Sequence, residues 1–468
     1  MEKAEDRRLP DVAVSMIVRN EARTLRRCLE SVRGAVQQVV IGDTGSSDGT
    51  PEIARECGAQ VIEIPWENDF AAARNRALAG VHCGWVLSLD ADEMLDPEGA
   101  RAIAALTRDR GFAAYQVAIR NYVLSLEDRI WDRPAQPNDR RLPQAKDYPA
   151  YVDHENVRLF RRDPGIFFVG RVHESVGSQV QALGLALGHA SFRIHHFGLA
   201  ADEDTRARKN RLYRELGKQK VLDLPANAQA HLELGLVELD NFGNLGQAQD
   251  CFARACRLNP RFGVAWFFAA VTHLRRQEHR AALRCLRKAE RCGHITAAVA
   301  EATGDAYYNL GEFASAVHAY RRALRRAPGS APVESKLGLA QGRTGAVEEG
   351  LERVGRALQQ RPQLADLHDR LVTFLVWQER ILEAALAAEN KLRLVPGTSA
   401  QDFLRTASLW MRNGDWGRAT AVLHVGLQLH AAEPLLQQAL AEISAGAGPG
   451  VNQLVTTLQN SRTGRGWD

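Results

Sequence analysis

The chain has 468 residues, more than a single hydrophobic core of about 250–300 residues accommodates, so two or three domains are expected. Its 60 basic and 56 acidic residues leave a net charge of +4, which gives no general case for binding nucleic acid. No apolar run reaches the roughly 20 residues of a membrane-spanning helix, and the N-terminus lacks the apolar segment of a secretory signal. We therefore expect a protein that neither spans a membrane nor binds nucleic acid.

The seven cysteines form no Cys-x-x-Cys pair, and their odd number does not suggest a disulfide framework. The simplest account is that they are reduced, packed thiols in a cytoplasmic protein. A zinc site is not expected.

The first half of the chain alternates apolar strands with short helices. Strands are predicted at residues 12–18, 38–41, 61–64 and 85–89, and helices at residues 22–32, 50–58 and 71–78. Asn20 can cap the first helix, and Thr50 followed by Pro51 indicates a helix start. This alternation predicts an α/β domain with a mainly parallel sheet. Residues 121–150 are polar and predict a long loop of the kind that binds an acceptor.

Carboxylates follow two of the predicted strands. Asp43 comes after the second strand, and Asp90, Asp92 and Glu93 come directly after the fourth. Clustered carboxylates at a buried strand end are costly without a cation, and open α/β sheets bind ligands where their strands end. Mg²⁺ or Mn²⁺ together with a diphosphate suits Asp90 and Asp92. Taken alone, an Asp-x-Asp sequence is more often a helix cap or a solvated loop.

The second half is helical and repetitive. Pro260, Pro328, Pro362 and Pro396 are separated by 68, 34 and 34 residues, and other positions recur with them. Two matching sets are Gly243, Ala248, Phe252, Ala255, Pro260 and Gly311, Ala316, Tyr320, Ala323, Pro328. A 34-residue period with small residues at helix contacts and a closing proline resembles the tetratricopeptide repeat family. We predict five to six repeats over residues 226–433.

Such repeats bind peptides or other chains, or they mediate self-association, here as a homodimer. A solubilising appendage is the alternative. The second helices carry many basic residues, which most often form a solvated face. If these residues are functional, an acidic peptide or an acidic head group is the natural partner.

Four motifs follow one another in the first half of the chain. They are residues 15–21 (SMIVRNE), 43–50 (DTGSSDGT), 73–75 (ARN) and 90–92 (DAD). Together they resemble the family 2 glycosyltransferases over residues 11–197. Residues 158–162 (RLFRR) and 172–174 (VHE) are similar to a subgroup that includes sublancin-type peptide glycosyltransferases and lipopolysaccharide core glucosyltransferases. The resemblance implies a GT-A fold, in which a Rossmann-like sheet binds a nucleotide sugar, usually for transfer with inversion.

The resemblance also implies roles for individual residues. Asp43 would accept a hydrogen bond from N3–H of uracil, and Arg74 would meet the diphosphate or the ribose, although a surface arginine is the alternative. The implied nucleotide-sugar-binding residues are Asn20, Glu21, Asp43, Arg74, Asp90, Ala91 and Asp92. The implied metal ligands are Asp92, Asp90 and His173.

The general base is less well marked than the donor site. Inversion needs a base for the acceptor proton, and the pair of acids that many family members carry is not evident here. Glu174 is the predicted base, acting with Asp92, although the His173-Glu174 dipeptide could merely close a β-turn. We expect His195 and His196 to pack under the diphosphate or to line it.

We therefore predict a GT-A domain at residues 1–222 with an acceptor loop at 121–150, an all-α tetratricopeptide superhelix at 223–445 and a flexible tail at 446–468. The predicted activity is metal-dependent transfer of a hexose from a UDP-sugar to a peptide or protein engaged by the repeats. One alternative is a lipid-linked or polysaccharide acceptor. A second alternative is a repeat scaffold that binds a nucleotide without catalysis.

Overall fold

A computed structural model of the protein describes residues 9–126, 128–130, 133–198 and 203–444. The chain divides into two compact units, residues 1–237 and residues 238–468. The predicted tail at 446–468 lies outside the described residues.

The first unit is built on a nine-stranded sheet. Its strands are β1 Val12–Val18, β2 Gln38–Asp43, β3 Gln60–Glu63, β4 Trp85–Ser88, β5 Glu93–Leu95, β6 Ala114–Val123, β9 Gln136–Pro137, β10 Ala150–Arg161 and β11 Leu187–His196, while β7 Arg129–Ile130 and β8 Arg133–Pro134 pair separately. The order is β3-β2-β1-β4-β10-β6-β11-β5, with β9 beside β10. The first four strands in this order run parallel, as the alternation predicts. Strand β10 is antiparallel to both its neighbours, so the sheet as a whole is mixed.

The helices of this unit are α1 Leu25–Ser31, α2 Thr50–Glu56, α3 Phe70–Ala79, α4 Gly99–Leu106, α5 Gly177–Ala182, α6 Glu203–Asp223 and α7 Ala228–Leu236. Helices α1, α2 and α4 pack into one core cluster of the sheet, and α3 and α5 pack into another. Val12 and Val14 of β1 pack into one core cluster, whereas Ala13 between them packs into another. A strand buried on both faces is mostly apolar, which is why the bounds of β1 could be predicted from sequence.

Two local predictions have different outcomes. Helix α2 begins at Thr50 with Pro51 in its first turn, as predicted. The predicted cap at Asn20 is wrong, because Asn20 has φ 59° and its side-chain oxygen instead accepts a hydrogen bond from the backbone N–H of Ser47. Helix α1 therefore begins later, at Leu25. The segment 121–150 contains strand pairs and a short 3₁₀ turn as well as loop.

The second unit consists of helices in antiparallel succession. They are α8 Leu245–Leu258, α9 Gly263–Arg275, α10 His279–Arg291, α11 Ala297–Asn309, α12 Phe313–Arg326, α13 Ala331–Arg343, α14 Val347–Gln360, α15 Ala365–Trp377, α16 Ile381–Leu394, α17 Ala400–Arg412, α18 Trp416–Leu429 and α19 Pro434–Ser444. Helices α8, α10, α12, α14 and α16 begin at residues 245, 279, 313, 347 and 381. This spacing confirms the 34-residue period.

Small residues allow the helices of one repeat to approach closely. A Cβ atom on Gly350 would lie 2.4 Å from the carbonyl oxygen of Gly338 on the preceding helix, so only glycine fits there. Ala248, Phe252 and Ala255 of α8 are buried, as the recurring pattern predicts. In the part of the chain that the structure describes, no helix combines the length and the hydropathy that crossing a membrane requires.

Candidate active site

The candidate site lies where the parallel strands end. Strand β4 leads through buried Leu89 into the turn of Asp90 and Asp92, after which β5 begins. Asp43 ends β2 and is paired in register with Val18 at the end of β1, next to β4. Asp43 and Asp90 therefore stand two strand spacings apart, roughly 10 Å.

One buried arginine, one half-buried arginine and three carboxylates form one network, the arginine–carboxylate cluster: Arg74, Arg158, Asp90, Glu93 and Glu174. Arg74 lies 2.5 Å from Asp90 Oδ1 through Nη2 and 2.5 Å from Glu174 Oε1 through Nε. Arg158 Nη2 lies 2.8 Å from Glu93 Oε1 and 3.3 Å from Asp90 Oδ2. The backbone N–H of Asp90 donates to Glu93 Oε2. Helix α3, the turn after β4, strands β5 and β10, and the turn at residue 174 each contribute one member.

The arginine–carboxylate cluster holds one more negative charge than positive charge when all five groups are ionised. Burial alone would raise the pKa of Asp90, but Arg74 and Arg158 hold it well below its usual range. Glu93 shares Arg158 with Asp90, and burial raises the pKa of Glu93 above its usual value. The excess charge is thus relieved at Glu93, and Asp90 remains an anion.

Asp92 faces His196, the last residue of β11. Asp92 Oδ2 lies 3.3 Å from His196 Nε2, and the other ring nitrogen, Nδ1, lies 2.8 Å from Asn121 Oδ1. The Asn121 amide is oriented independently, because its nitrogen donates to the carbonyl oxygen of Val152. Asn121 Oδ1 therefore accepts a hydrogen bond from the N–H group at His196 Nδ1. In a neutral ring this leaves a lone pair on Nε2.

The lone pairs of this Asp92–His196 pair would repel each other unless a positive charge lies between them. A proton can supply that charge: burial lowers the pKa of His196, but Asp92 and its acidic neighbours outweigh this and raise it. A metal cation can supply it equally well, because carboxylate oxygen and neutral imidazole nitrogen are both metal ligands. Gly198 keeps the place open, since a Cβ atom there would lie 1.9 Å from Asp92 Oδ2.

Comparison with known proteins agrees with this geometry. Residues 13–165 match the family Glycosyl transferase family 2, and residues 297–330 match the family Tetratricopeptide repeat. The chain joins a family 2 glycosyltransferase domain to tetratricopeptide repeats. The resemblance drawn from the motifs is confirmed.

Individual relatives match only parts of the chain. A TPR repeat-containing protein of Synechococcus elongatus is 37% identical over 175 residues, 37% of this chain and 38% of that protein. The SPbeta prophage-derived glycosyltransferase SunS of Bacillus subtilis is 24% identical over 221 residues, 47% of each chain. A tetratricopeptide repeat protein from Parabacteroides merdae, a solved structure, has a TM-score of 0.42 at 13% identity over 51% of this chain and 94% of that one. The chain spans less than half the length of each of these two curated relatives.

The glycosyltransferase domain separates the three predicted metal ligands. Asp90 is engaged by Arg74 and Arg158, and Asp92 is paired with His196. The ring of His173, a residue with φ 51°, packs edge-on against Tyr213, with 5.8 Å between ring centroids. Within the described ranges, no group of three or more His, Cys, Asp or Glu residues is placed to hold a metal ion.

The other predicted residues lie around the same edge of the glycosyltransferase domain. Asp43 Oδ2 accepts hydrogen bonds from the backbone N–H groups of Gly45 and Ser46, and the Ser46 hydroxyl donates to Oδ1. Thr24 donates to the carboxylate of Glu21. Burial and the nearby charges of Asp92 and Asp90 raise the pKa of Glu21.

The remaining residues of the motifs are Asp48, Ala91 and Glu174. Asp48 accepts hydrogen bonds from the backbone N–H groups of Thr50 and Ala22, so it holds the turn before α2 against the segment that follows β1. Ala91 is buried between the two aspartates. Glu174 pairs with Arg74 at the rim of the site.

Sequence reasoning left two functional side chains without a role. Arg158 stands between the buried residues Val157 and Leu159, and a charge inside an apolar strand is a signal that could have placed it in a site. Asn121 carries no local signal, because its partner His196 is 75 residues away in sequence. Only the parallel pairing of β6 with β11 brings these two residues together.

Proposed function

We propose that the first unit transfers a hexose from a UDP-sugar, with inversion and with Mg²⁺ or Mn²⁺, to a peptide or protein that the repeats engage. The Asp92–His196 pair beside the arginine–carboxylate cluster is the observation that carries this proposal. The pair needs a positive charge between its two lone pairs, which a divalent cation would supply. A diphosphate would bring the negative charge that such a cation and Arg74 can balance.

The distance within the Asp92–His196 pair supports a metal. Two ligands at neighbouring octahedral positions, each about 2.1 Å from Mg²⁺, lie roughly 3 Å apart. Asp92 Oδ2 and His196 Nε2 are 3.3 Å apart. Diphosphate oxygens and water would complete the coordination, and the cation, when bound, would neutralise charge on the leaving group.

The strand order supports a nucleoside diphosphate. The two strand spacings between Asp43 and Asp90, roughly 10 Å, suit a base at the first and a diphosphate at the second. Asp43 receives three hydrogen bonds within its own turn, and a carboxylate can accept about four. One acceptor position therefore remains for N3–H of uracil.

The ion pairs assign a positioning role to Glu174. Glu174 Oε1 lies 2.5 Å from Arg74 Nε, so the guanidinium already occupies this carboxylate oxygen. We therefore propose that Glu174 and Asp90 together fix the plane of Arg74, so that the guanidinium meets the diphosphate without reorganisation. This changes the role predicted for Glu174 but keeps it in the site.

Charge on the repeats supports an acidic acceptor. Five arginines on the second helices of two successive repeats form no ion pair within the part of the chain that the structure describes. They are Arg284, Arg287 and Arg291 of α10 and Arg321 and Arg325 of α12. An acidic peptide would complement them. The seven free cysteines are consistent with a cytoplasmic protein.

A donor screen tests the proposal. The full chain is incubated with a panel of UDP-hexoses, with Mg²⁺ or Mn²⁺ and with EDTA, and UDP release is measured. We expect release with at least one donor, only in the presence of the divalent cation, and mass spectrometry should then find a hexose on a supplied acidic peptide. Tight UDP binding without transfer or hydrolysis of any donor would instead favour the non-catalytic scaffold.

A further inference from the structure

Helix α6 presents a lysine and a tyrosine one turn apart. Lys209 and Tyr213 have i, i+4 spacing, so their side chains share one face of the helix. Lys209 Nζ lies 5.6 Å from the centroid of the Tyr213 ring. The Lys209 side chain is exposed, whereas Tyr213 is half-buried.

Tyr213 connects α6 to the candidate active site. Its ring packs edge-on against His173 at 5.8 Å and against Phe70 at 5.9 Å, measured between centroids. His173 directly precedes Glu174, which belongs to the arginine–carboxylate cluster. Phe70 is the first residue of α3, the helix that carries Arg74 of the same cluster. Lys209 is therefore positioned beside the site by packed rings.

A second lysine fixes α6 to the turn that carries Glu174. Lys220 Nζ donates to the carbonyl oxygen of Val172 at 2.7 Å and pairs with Glu233 of α7 at 2.6 Å. Lys220 is buried, so this anchor is shielded from water. The N-terminal half of α6, which carries Lys209, thus has a defined position beside the site.

Lys209 is close to the acidic groups of the site without pairing with them. Tyr213 raises the pKa of Lys209, burial opposes this, and the charges of Asp92, Asp90 and Glu21 raise it further. Among the described residues, however, none of these carboxylates lies within the 4.0 Å of an ion pair with Nζ. An exposed ammonium that faces three anions but pairs with none of them can donate to an anionic ligand that arrives with its own counter-ion.

We propose that Lys209 binds the diphosphate of the nucleotide-sugar donor and stabilises it as the leaving group. This rests on the proposed function. In the transfer, the bond between the anomeric carbon and the β-phosphate oxygen breaks with its electron pair on that oxygen. A bond from the acceptor heteroatom to the anomeric carbon replaces it, and the acceptor proton passes to a general base. An ammonium donating to the diphosphate strengthens its contact as this charge develops.

Binding of UDP and UMP to full-length variants tests this role. We expect Lys209→Met to weaken UDP binding roughly 10- to 100-fold, both in Mn²⁺ and in EDTA, as loss of a charged hydrogen bond predicts. UMP lacks the β-phosphate, so its affinity should change less than that of UDP. Lys209→Arg should retain most of the UDP affinity. Lys218→Met is the matched control, because Lys218 lies on the same helix in a surface pair with Glu215.

The possible failures are distinguishable. If Lys209→Met binds UDP as tightly as the wild type does, the role of Lys209 is overturned and the proposed function still stands. An equal loss of UMP and UDP affinity also overturns it, because the contact would then not be with the β-phosphate. Wild-type protein that binds neither nucleotide overturns the proposed function and this inference with it. Thermal unfolding of each variant checks that the exposed substitution leaves the fold intact.

Discussion

Both units bury a cation between two carboxylates, yet only one of these sites calls for a ligand. In the repeats, Lys336 Nζ lies 2.8 Å from Glu301 Oε1 and 2.7 Å from Asp305 Oδ2. The Tyr320 hydroxyl donates to the second oxygen of Asp305. In the glycosyltransferase domain, Arg74 lies between its two carboxylates at similar distances.

The two networks differ in what they leave unmet. Arg74 Nη1 and Arg158 Nε are buried without a hydrogen-bond partner among the described residues, and the Asp92–His196 pair requires a proton or a metal cation between its lone pairs. The corresponding polar atoms around Lys336 are not among the unpartnered ones in the described ranges. A buried ion pair is therefore weak evidence of a site, whereas buried polar atoms without a hydrogen-bond partner point to a ligand.

Removing the cation of the repeat network should give the largest effect. Lys336→Met removes the ammonium that lies between Glu301 and Asp305, and breaking such a shielded ion pair costs about 3–5 kcal/mol. Urea unfolding should show this loss, while the UDP affinity of the first unit remains unchanged. Adding Glu301→Gln and Asp305→Asn to the same chain should restore much of the stability. A drop in UDP affinity would contradict a purely structural role for Lys336.

Asp92→Asn should remove activity without comparable loss of stability. The substitution keeps the shape but removes the charge that faces His196 Nε2, and loss of one electrostatic contact to the transition state typically costs roughly 10²–10³-fold in rate. The rate of UDP release measures the effect. Glu52→Gln, an exposed change on α2, should act like wild type. Unchanged turnover in Asp92→Asn would exclude the metal role proposed for this residue.

His196→Ala should weaken the dependence on the cation by a smaller factor. Loss of one ligand, with Asp92 and the diphosphate still present, should raise the Mn²⁺ concentration for half-maximal UDP binding roughly 10- to 100-fold. The control is His189→Ala on the same strand, because His189 is exposed and forms only a surface pair with Glu155. Equal Mn²⁺ requirements in His196→Ala and wild type would leave the proton as the charge between His196 and Asp92.

Much of the fold could be predicted because its signals are local. Strand β1 has the predicted bounds because it is buried on both faces, and the repeats follow their period because each helix contact needs a small residue at a fixed spacing. The antiparallel half of the sheet could not be predicted. The pairing of β10 with β4 and β6 depends on register between segments far apart in sequence.

The residues of the candidate site likewise differ in whether local sequence signals could predict them. Asp90 and Arg74 could be predicted to meet because one ends a strand and the other lies on the helix before it. His196 and Asn121 could not, because each is an ordinary polar residue until β6 and β11 pair. The acceptor side carries still weaker local signals, which is why the predicted base at Glu174 is here assigned a positioning role.

The smallest expected effect concerns His154, which accepts a hydrogen bond from Asn121 through Nδ1. Burial and the neighbouring charges of Arg158 and His196 lower the pKa of His154 to about 4. Because this pKa lies below the unfolded value of 6.5, the unfolded state binds the proton more readily. The contribution of neutral His154 is therefore fully present above pH 6.5 and is lost as the pH falls towards 4.

Since His154 is only partly buried, we expect a loss of about 1–2 kcal/mol across this range. Urea unfolding should show this loss of stability in the transition that moves when UDP is added, because that transition reports the glycosyltransferase domain. His154→Gln should make that transition less dependent on pH between 4 and 6.5. The residues named in the Lys336 network include no histidine, so a variant there should keep the wild-type dependence of stability on pH. An unchanged slope in His154→Gln would mean that another group controls the acid sensitivity of the site.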